Sequence, residues 1–175
     1  MFTGRGATEE EWDRSVRHLR RVAEYAQEQG VVLAEEVVNR FELYHLNILD
    51  QGARLVDQVA HPNCKVHLDT FHAHIEEKDP AAAIRRAGGR IAHVHISEND
   101  RGVPGSGSVR WDDTFGALDD VGYDGWLTVE AFGNLLPNLA AATRIWRPLF
   151  DSEEQLATEA LAFLKSKTSR PGRGR

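Results

Sequence analysis

The sequence predicts an α/β fold of parallel strands alternating with helices, amounting to half of a (β/α)8 barrel. Three observations predict it. Four short apolar runs, Val31–Val37, Cys64–Thr70, Ile91–Ser97 and Trp126–Phe132, are each bounded by polar or glycine punctuation, as strands are. Helix-like segments separate them, which implies parallel strands joined by crossovers. Read with period 2, each of the last three runs has one apolar face and one that turns polar toward its C-terminal end. An open doubly wound sheet has apolar residues on both faces. A barrel whose interior becomes polar at the mouth fits better, because barrel enzymes place their chemistry there.

The elements follow in order. The first helix is expected from about Thr8 to Glu28, where Thr8 and Glu11 have the spacing of a capping box. Val16, Leu19, Val22, Ala23 and Ala26 recur at helical spacing, and Gly30 stops the helix. The first strand is ambiguous, since either Glu35 or Glu36 faces inward. Asn47–Ala60 reads as the second helix. In the second strand Val66 and Leu68 share one face, and Lys65, His67 and Asp69 the other. Pro80–Ala87 is a helix opened by Asp79-Pro80 and closed by Gly88-Gly89. In the third strand Ala92 and Val94 oppose His93 and His95; helix Asp112–Val121 follows. In the fourth, Leu127 and Val129 oppose Thr128 and Glu130, and helices Leu139–Trp146 and Glu153–Lys165 come after it.

Bulk properties bound the function. The chain has 175 residues, a net charge of −6 and 41% hydrophobic content, so one domain with a real core is expected over 1–167. The acidic balance argues against nucleic-acid or anionic-membrane partners, which need a clustered basic face. The basic end of the chain, with 168–175 as a disordered tail, reads as a solvated terminus. A single cysteine, Cys64, allows neither an internal disulfide nor a cysteine-based zinc site. No apolar stretch reaches the roughly 18 residues of a membrane span, and Met1–Glu11 lacks a signal-peptide pattern, so a cytoplasmic location is expected. A complete barrel takes about 250 residues, and an isolated half leaves strand edges unpaired. A gene fragment, a misassigned start or a half-barrel dimer would each account for that; homo-oligomerisation or dependence on a missing N-terminal half is expected.

Each strand delivers one metal-competent group near its C-terminal end: Glu36, Asp69, His95 and Glu130, at separations of 33, 26 and 35 residues. One βα repeat has about that length, so the four converge at the mouth. Strand-end carboxylates often only cap the following helix, and a lone histidine is commonly a satisfied core residue. Four in phase over four repeats favour a metal site. Three carboxylates and one imidazole suit Mn²⁺, Mg²⁺ or Co²⁺ rather than a structural zinc. His93 reads as an inward-facing neighbour of a ligand, and His67 as a packed polar residue or a partner of one. His74 is expected in a loop. Trp111, Trp126 and Trp146 are expected in the core, and Trp12 in helix packing.

Several segments resemble the D-tagatose 3-epimerase and D-psicose (allulose) 3-epimerase family. They are Glu36-Val37-Val38-Asn39-Arg40-Phe41-Glu42, Leu68-Asp69-Thr70-Phe71-His72 with Ile75-Glu76-Glu77, and His93-Val94-His95. Glu98-Asn99-Asp100-Arg101 with Pro104-Gly105-Ser106-Gly107, and Gly122-Tyr123-Asp124-Gly125 leading to Val129-Glu130-Ala131-Phe132, extend the likeness. The resemblance implies the C-terminal half of a xylose isomerase-like TIM barrel with a divalent metal, Mn²⁺ foremost, then Co²⁺ or Mg²⁺. It implies Glu36, Asp69, His95 and Glu130 as ligands, which selects Glu36 over Glu35. Glu36 and Glu130 double as the acid/base pair that inverts C3 of a ketose, and Glu42, His72 and Arg101 contact the sugar. Aldose–ketose or hydroxypyruvate-type isomerisation, and a non-catalytic metal- or sugar-binding remnant, are the alternative readings.

Overall fold

The computed structural model describes residues 4–169. Four parallel strands form one sheet in the order β1-β2-β3-β4: β1 (Leu33–Glu36), β2 (Cys64–Asp69), β3 (Ile91–Ile96) and β4 (Leu127–Val129). Each lies within its expected run and is shorter, because pairing stops where the chain turns away at the mouth. The register sets Glu36 beside His67, His67 beside His93, Asp69 beside His95, and His95 beside Thr128.

Helix α1 (Glu9–Glu28) begins as its sequence dictates. The Glu11 amide N–H donates to the Thr8 hydroxyl, and the Thr8 amide donates to the Glu11 carboxylate. Gly30, at φ +68°, takes the left-handed turn that follows it. Helix α2 (Leu49–Val59) starts two residues later than expected. Its first turn is closed by Gln51, whose side chain accepts from the Asn47 and Ile48 amides, and by Glu77, which accepts from the Leu49 amide. Within it, Gly52 lies so close to the sheet that a β-carbon would meet Val37 Cγ2 at 2.9 Å.

After β2 the chain enters α3 (Thr70–Glu76), a seven-residue helix absent from the sequence-based expectation. Asp69 caps it, accepting from the Phe71 and His72 amides at 2.7 and 3.2 Å. His74 therefore lies on a helix, exposed, and not in a loop. Helix α4 (Pro80–Ala87) has the expected bounds and is capped by Asp79. Helices α5 (Trp111–Asp120), α6 (Pro137–Thr143) and α7 (Glu153–Thr168) complete the array. Helix α6 ends earlier than expected because Arg144 turns left-handed at φ 59°. Of the tail expected at 168–175, Thr168 closes α7 and residues 170–175 lie outside the described residues. Among the described residues no helix is long and apolar enough to cross a membrane.

Alternation places the core on one side of the sheet. Val66, Leu68, Val94 and Ile96 are buried there against Leu55, Val59, Ile84, Phe115 and Leu118 from the helices. Burying a side chain of this size contributes about 1.5–3 kcal/mol. The opposite side carries Glu36, His67, Asp69, His93 and His95. Trp111 and Trp12 are buried as expected. Trp126 and Trp146, expected in the core, are 80% and 75% exposed. Trp126 precedes β4, the last strand of the sheet, and Trp146 lies past the end of α6, and among the described residues no layer covers either.

Candidate metal and sugar site

The strand ends bring the expected residues together. Glu36 ends β1, Asp69 ends β2, His95 is the penultimate residue of β3, and Glu130 follows β4, its amide still donating to the Ile96 carbonyl. Ligand atoms of Glu36, Asp69 and His95 lie within 4.8 Å of one another. Glu130 joins them through His95, whose Nδ1 is 3.5 Å from Asp69 Oδ2 and 3.5 Å from Glu130 Oε1. These are ion-pair distances, and His95 Nδ1 is buried without a hydrogen-bond partner among the described residues. Donor atoms about 2.1 Å from a shared cation stand roughly 3–3.5 Å apart. An orphaned nitrogen facing two carboxylates at that separation, with a third nearby, fits a divalent cation and an oxygen-rich set.

The electrostatics follow from the same packing. Asp69 is 1% exposed; despite its burial, His95, Glu130, Arg101 and His72 keep its carboxyl well below the ordinary range. One Asp69 oxygen caps α3 and the other faces His95 and Arg101, so the residue is locked at both ends. Asp69 and Glu130 together push the His95 imidazole up to about 9, against its burial. Burial, reinforced by Asp69 and Glu130, raises the Glu36 carboxyl. Glu35 sits on the helix side of β1, and burial raises it too.

Arg101 bridges the site. Its Nη1 donates to Asp69 Oδ2 (3.1 Å), to Ser97 Oγ (3.0 Å) and, by a short contact, to Glu130. The guanidinium stacks 3.8 Å above the Phe71 ring centroid. Its backbone is left-handed at φ 68°, a strained conformation for a non-glycine residue. Two hydrogen bonds hold it there: its amide donates to the Glu98 carbonyl, and its carbonyl accepts from the Phe132 amide, both at 3.0 Å.

His72 is buried, and its Nδ1 accepts from the Asn39 amide at 3.2 Å, with Asn39 Nδ2 at 2.8 Å. Asn39 cannot be turned round, because its Oδ1 accepts from the Phe41 amide and its Nδ2 donates to Glu42. His72 Nδ1 is thus the acceptor toward Asn39, and its Nε2 lies 3.3 Å from Arg101 Nη2 and 3.8 Å from Glu36 Oε1. Burial, reinforced by Arg101 and opposed by Asp69, lowers the His72 pKa and favours the neutral form.

A cavity of about 580 Å³ opens over the site, lined among others by Glu36, Asn39, Glu42, Phe71, His72, Arg101, Glu130 and Phe132. All seven sequence-predicted site residues lie at or beside it. Sequence reasoning missed two others. Asn39 orients both His72 and Glu42, and only its place between Glu36 and Glu42 in one motif hinted at that. Glu98 is fully buried and accepts from the Asn99, Gly105 and Val109 amides and from Trp111 Nε1, closing the loop that presents Arg101. Although burial opposes ionisation, these donors hold its carboxyl below the ordinary value.

Comparison with known proteins places this geometry. The sequence matches the family described as Xylose isomerase-like TIM barrel over residues 2–167. It is 43% identical over 159 residues to the L-ribulose 3-epimerase of Mesorhizobium japonicum, covering 90% of this chain and 54% of that protein. It is 41% identical over 156 residues to the D-psicose 3-epimerase of Ruminiclostridium cellulolyticum, covering 88% and 53%. The crystal structure of the Methylomonas sp. D-allulose 3-epimerase in complex with D-allulose superposes with a TM-score of 0.88 at 37% identity, covering 93% of this chain and 57% of that one. The chain thus spans about half the length of the curated relatives it matches, and corresponds to their C-terminal half.

Proposed function

The chain belongs to the xylose isomerase-like TIM barrel family, and on that premise we propose that it carries the metal and proton-transfer site of a ketose 3-epimerase. The observation that carries the reading is His95 Nδ1, orphaned between Asp69 and Glu130, beside a cavity walled by Glu36, Glu130, His72 and Arg101. Glu36, Asp69, His95 and Glu130 would hold a divalent cation, Mn²⁺ foremost and Co²⁺ or Mg²⁺ otherwise. Bound there, it would supply Lewis acidity to a ketose carbonyl and so make the proton on the neighbouring carbon easier to remove.

The chain's own residues do the rest. One of the pair Glu36 and Glu130 removes the proton from C3, and the other returns one to the opposite face, which inverts the centre. His72, its orientation fixed by Asn39, turns its Nε2 edge with Arg101 Nη2 toward the cavity, where a sugar oxygen would sit. Arg101 holds Asp69 and Glu130 in place, and Glu42, tied to Asn39, offers an acceptor to a sugar hydroxyl. The substrate is a small ketose, and the working enzyme a cytoplasmic homo-oligomer or an assembly with a complementary N-terminal half.

The test is solvent exchange. The Mn²⁺-loaded protein, incubated with D-fructose, D-psicose and D-tagatose in D₂O, should place deuterium at C3. Deuterium at C1 or C2 would assign an aldose–ketose isomerase, and no exchange with any ketose would reject the enzymatic reading.

A further inference from the structure

Directly beneath the carboxylate site, two residues deeper on β2 and β3, lie two histidines that the proposed reaction leaves unused. His67 and His93 are register partners on β2 and β3, and His95 is two residues above His93 on the same face. One ring nitrogen from each lies within 4.8 Å of the other two. The rings meet edge to face, with centroid separations of 4.9 Å for His67–His93, 4.0 Å for His67–His95 and 5.2 Å for His93–His95. His67 is 7% exposed, and its Nε2 is buried with no hydrogen-bond partner among the described residues. A buried imidazole nitrogen with nothing to bond is uncommon and calls for a ligand.

We propose that His67, His93 and His95 form a second, nitrogen-only site for a borderline transition ion of the Zn²⁺ or Co²⁺ class, with His95 bridging the two sites. The donor chemistry separates them. Two neutral imidazoles, His67 and His93, with the imidazolate that His95 becomes when both its nitrogens ligate and its last N–H proton passes to solvent, suit Zn²⁺, Co²⁺, Ni²⁺ or Cu²⁺ and offer little to Mg²⁺, whereas the carboxylate set above takes hard, oxygen-seeking ions. Three histidines leave a fourth position for water. His95 can serve both sites because its Nδ1 faces Asp69 and Glu130, leaving Nε2 for the histidine pair. The backbone supports the arrangement: the ladder sets His67 beside His93 on adjacent strands, directly after a register irregularity between Val66 and His67. Among the described residues no carboxylate hydrogen-bonds His67 Nε2, so the cluster is not an ordinary charge-paired histidine.

Equilibrium dialysis of the full chain against CoCl₂, read by atomic absorption and visible spectroscopy, tests this. Wild type should take up two Co²⁺ per chain, one giving the intense visible bands of a four-coordinate nitrogen site. The same dialysis against MgCl₂ should give at most one. His67→Gln and, separately, the half-exposed His93→Gln should each lose one Co²⁺ equivalent together with those bands, or weaken it at least tenfold. Glu36→Gln/Glu130→Gln should lose the other equivalent and keep the bands, so failure of the carboxylate site is read independently. A wild-type stoichiometry of one, or bands and stoichiometry unchanged in both histidine variants, would overturn the second site.

Discussion

Replacing Glu98 by Gln keeps size and shape and removes one acceptor oxygen. In the native loop, Oε1 accepts from the Asn99 and Val109 amides at 3.0 Å each, and Oε2 accepts from the Gly105 amide and Trp111 Nε1 at 2.8 and 2.9 Å. A glutamine can serve only one of these pairs, and its amino group would face the other with donor against donor. The Trp111 contact is the buried one, so the glutamine oxygen should stay with Gly105 and Trp111. The Asn99 and Val109 amides are then left, partly accessible, at about 1–1.5 kcal/mol each, for a total loss of about 2–3 kcal/mol. Urea unfolding followed by tryptophan fluorescence measures it. The pH dependence is fixed in sign. The Glu98 carboxyl is lowered in the fold, so its stabilisation is present above the ordinary value of 4.5 and is lost as pH falls through the folded value. The gap between wild type and E98Q should be full at pH 7 and shrink with acid below pH 4.5. A gap under about 0.5 kcal/mol at pH 7, or one that widens with acid, refutes the anchoring role.

Two further outcomes are expected. Glu130→Gln should abolish C3 exchange and weaken Mn²⁺ binding, read by deuterium incorporation and by calorimetric titration; unaffected turnover would remove Glu130 from the site. Gly52→Ala drives a β-carbon to 2.9 Å from Val37 Cγ2 and 3.3 Å from Val66 Cγ1. Overpacking of this kind costs about 1–3 kcal/mol, offset by nearly 1 kcal/mol of helix propensity. Urea unfolding should show a net loss of about 1 kcal/mol, relieved when Val37→Ala is added.

What the sequence makes legible here is what repeats locally. Two-residue alternation separated Val66 and Leu68 from His67 and Asp69, and the capping-box spacing of Thr8 and Glu11 located the start of α1. The phase of Glu36, Asp69, His95 and Glu130 along four repeats was enough to bring them to one mouth. Other features depend on long-range closure. Helix α3 spans two turns, too few for a period to emerge, and its cap is Asp69 itself, a residue with a second reason to be there. Glu98 looks like any loop acid until Gly105, Val109 and Trp111 fold back over it. Trp126 and Trp146 are apolar in sequence, but burial needs an adjacent layer, and no composition or period reports whether one exists.

The division of labour within the proposed quartet follows from strand order. β2 and β3 are central, and they carry Asp69 and His95, whose side chains are the more enclosed: Asp69 is sealed by α3 and Arg101, and neither residue lines the cavity. β1 and β4 are the outer strands, and they carry Glu36 and Glu130, which both do. A sheet with the twist of a barrel brings its outer strands round toward each other. A ketose seated over the central pair therefore has one carboxylate on each flank, which is the requirement for taking a proton from one face of C3 and returning it to the other. Moving either glutamate to a central strand would place both on the same face and permit exchange without inversion. The order β1-β2-β3-β4, with acids outermost, is thus the feature of this half-barrel that ties its topology to the stereochemistry of the proposed reaction.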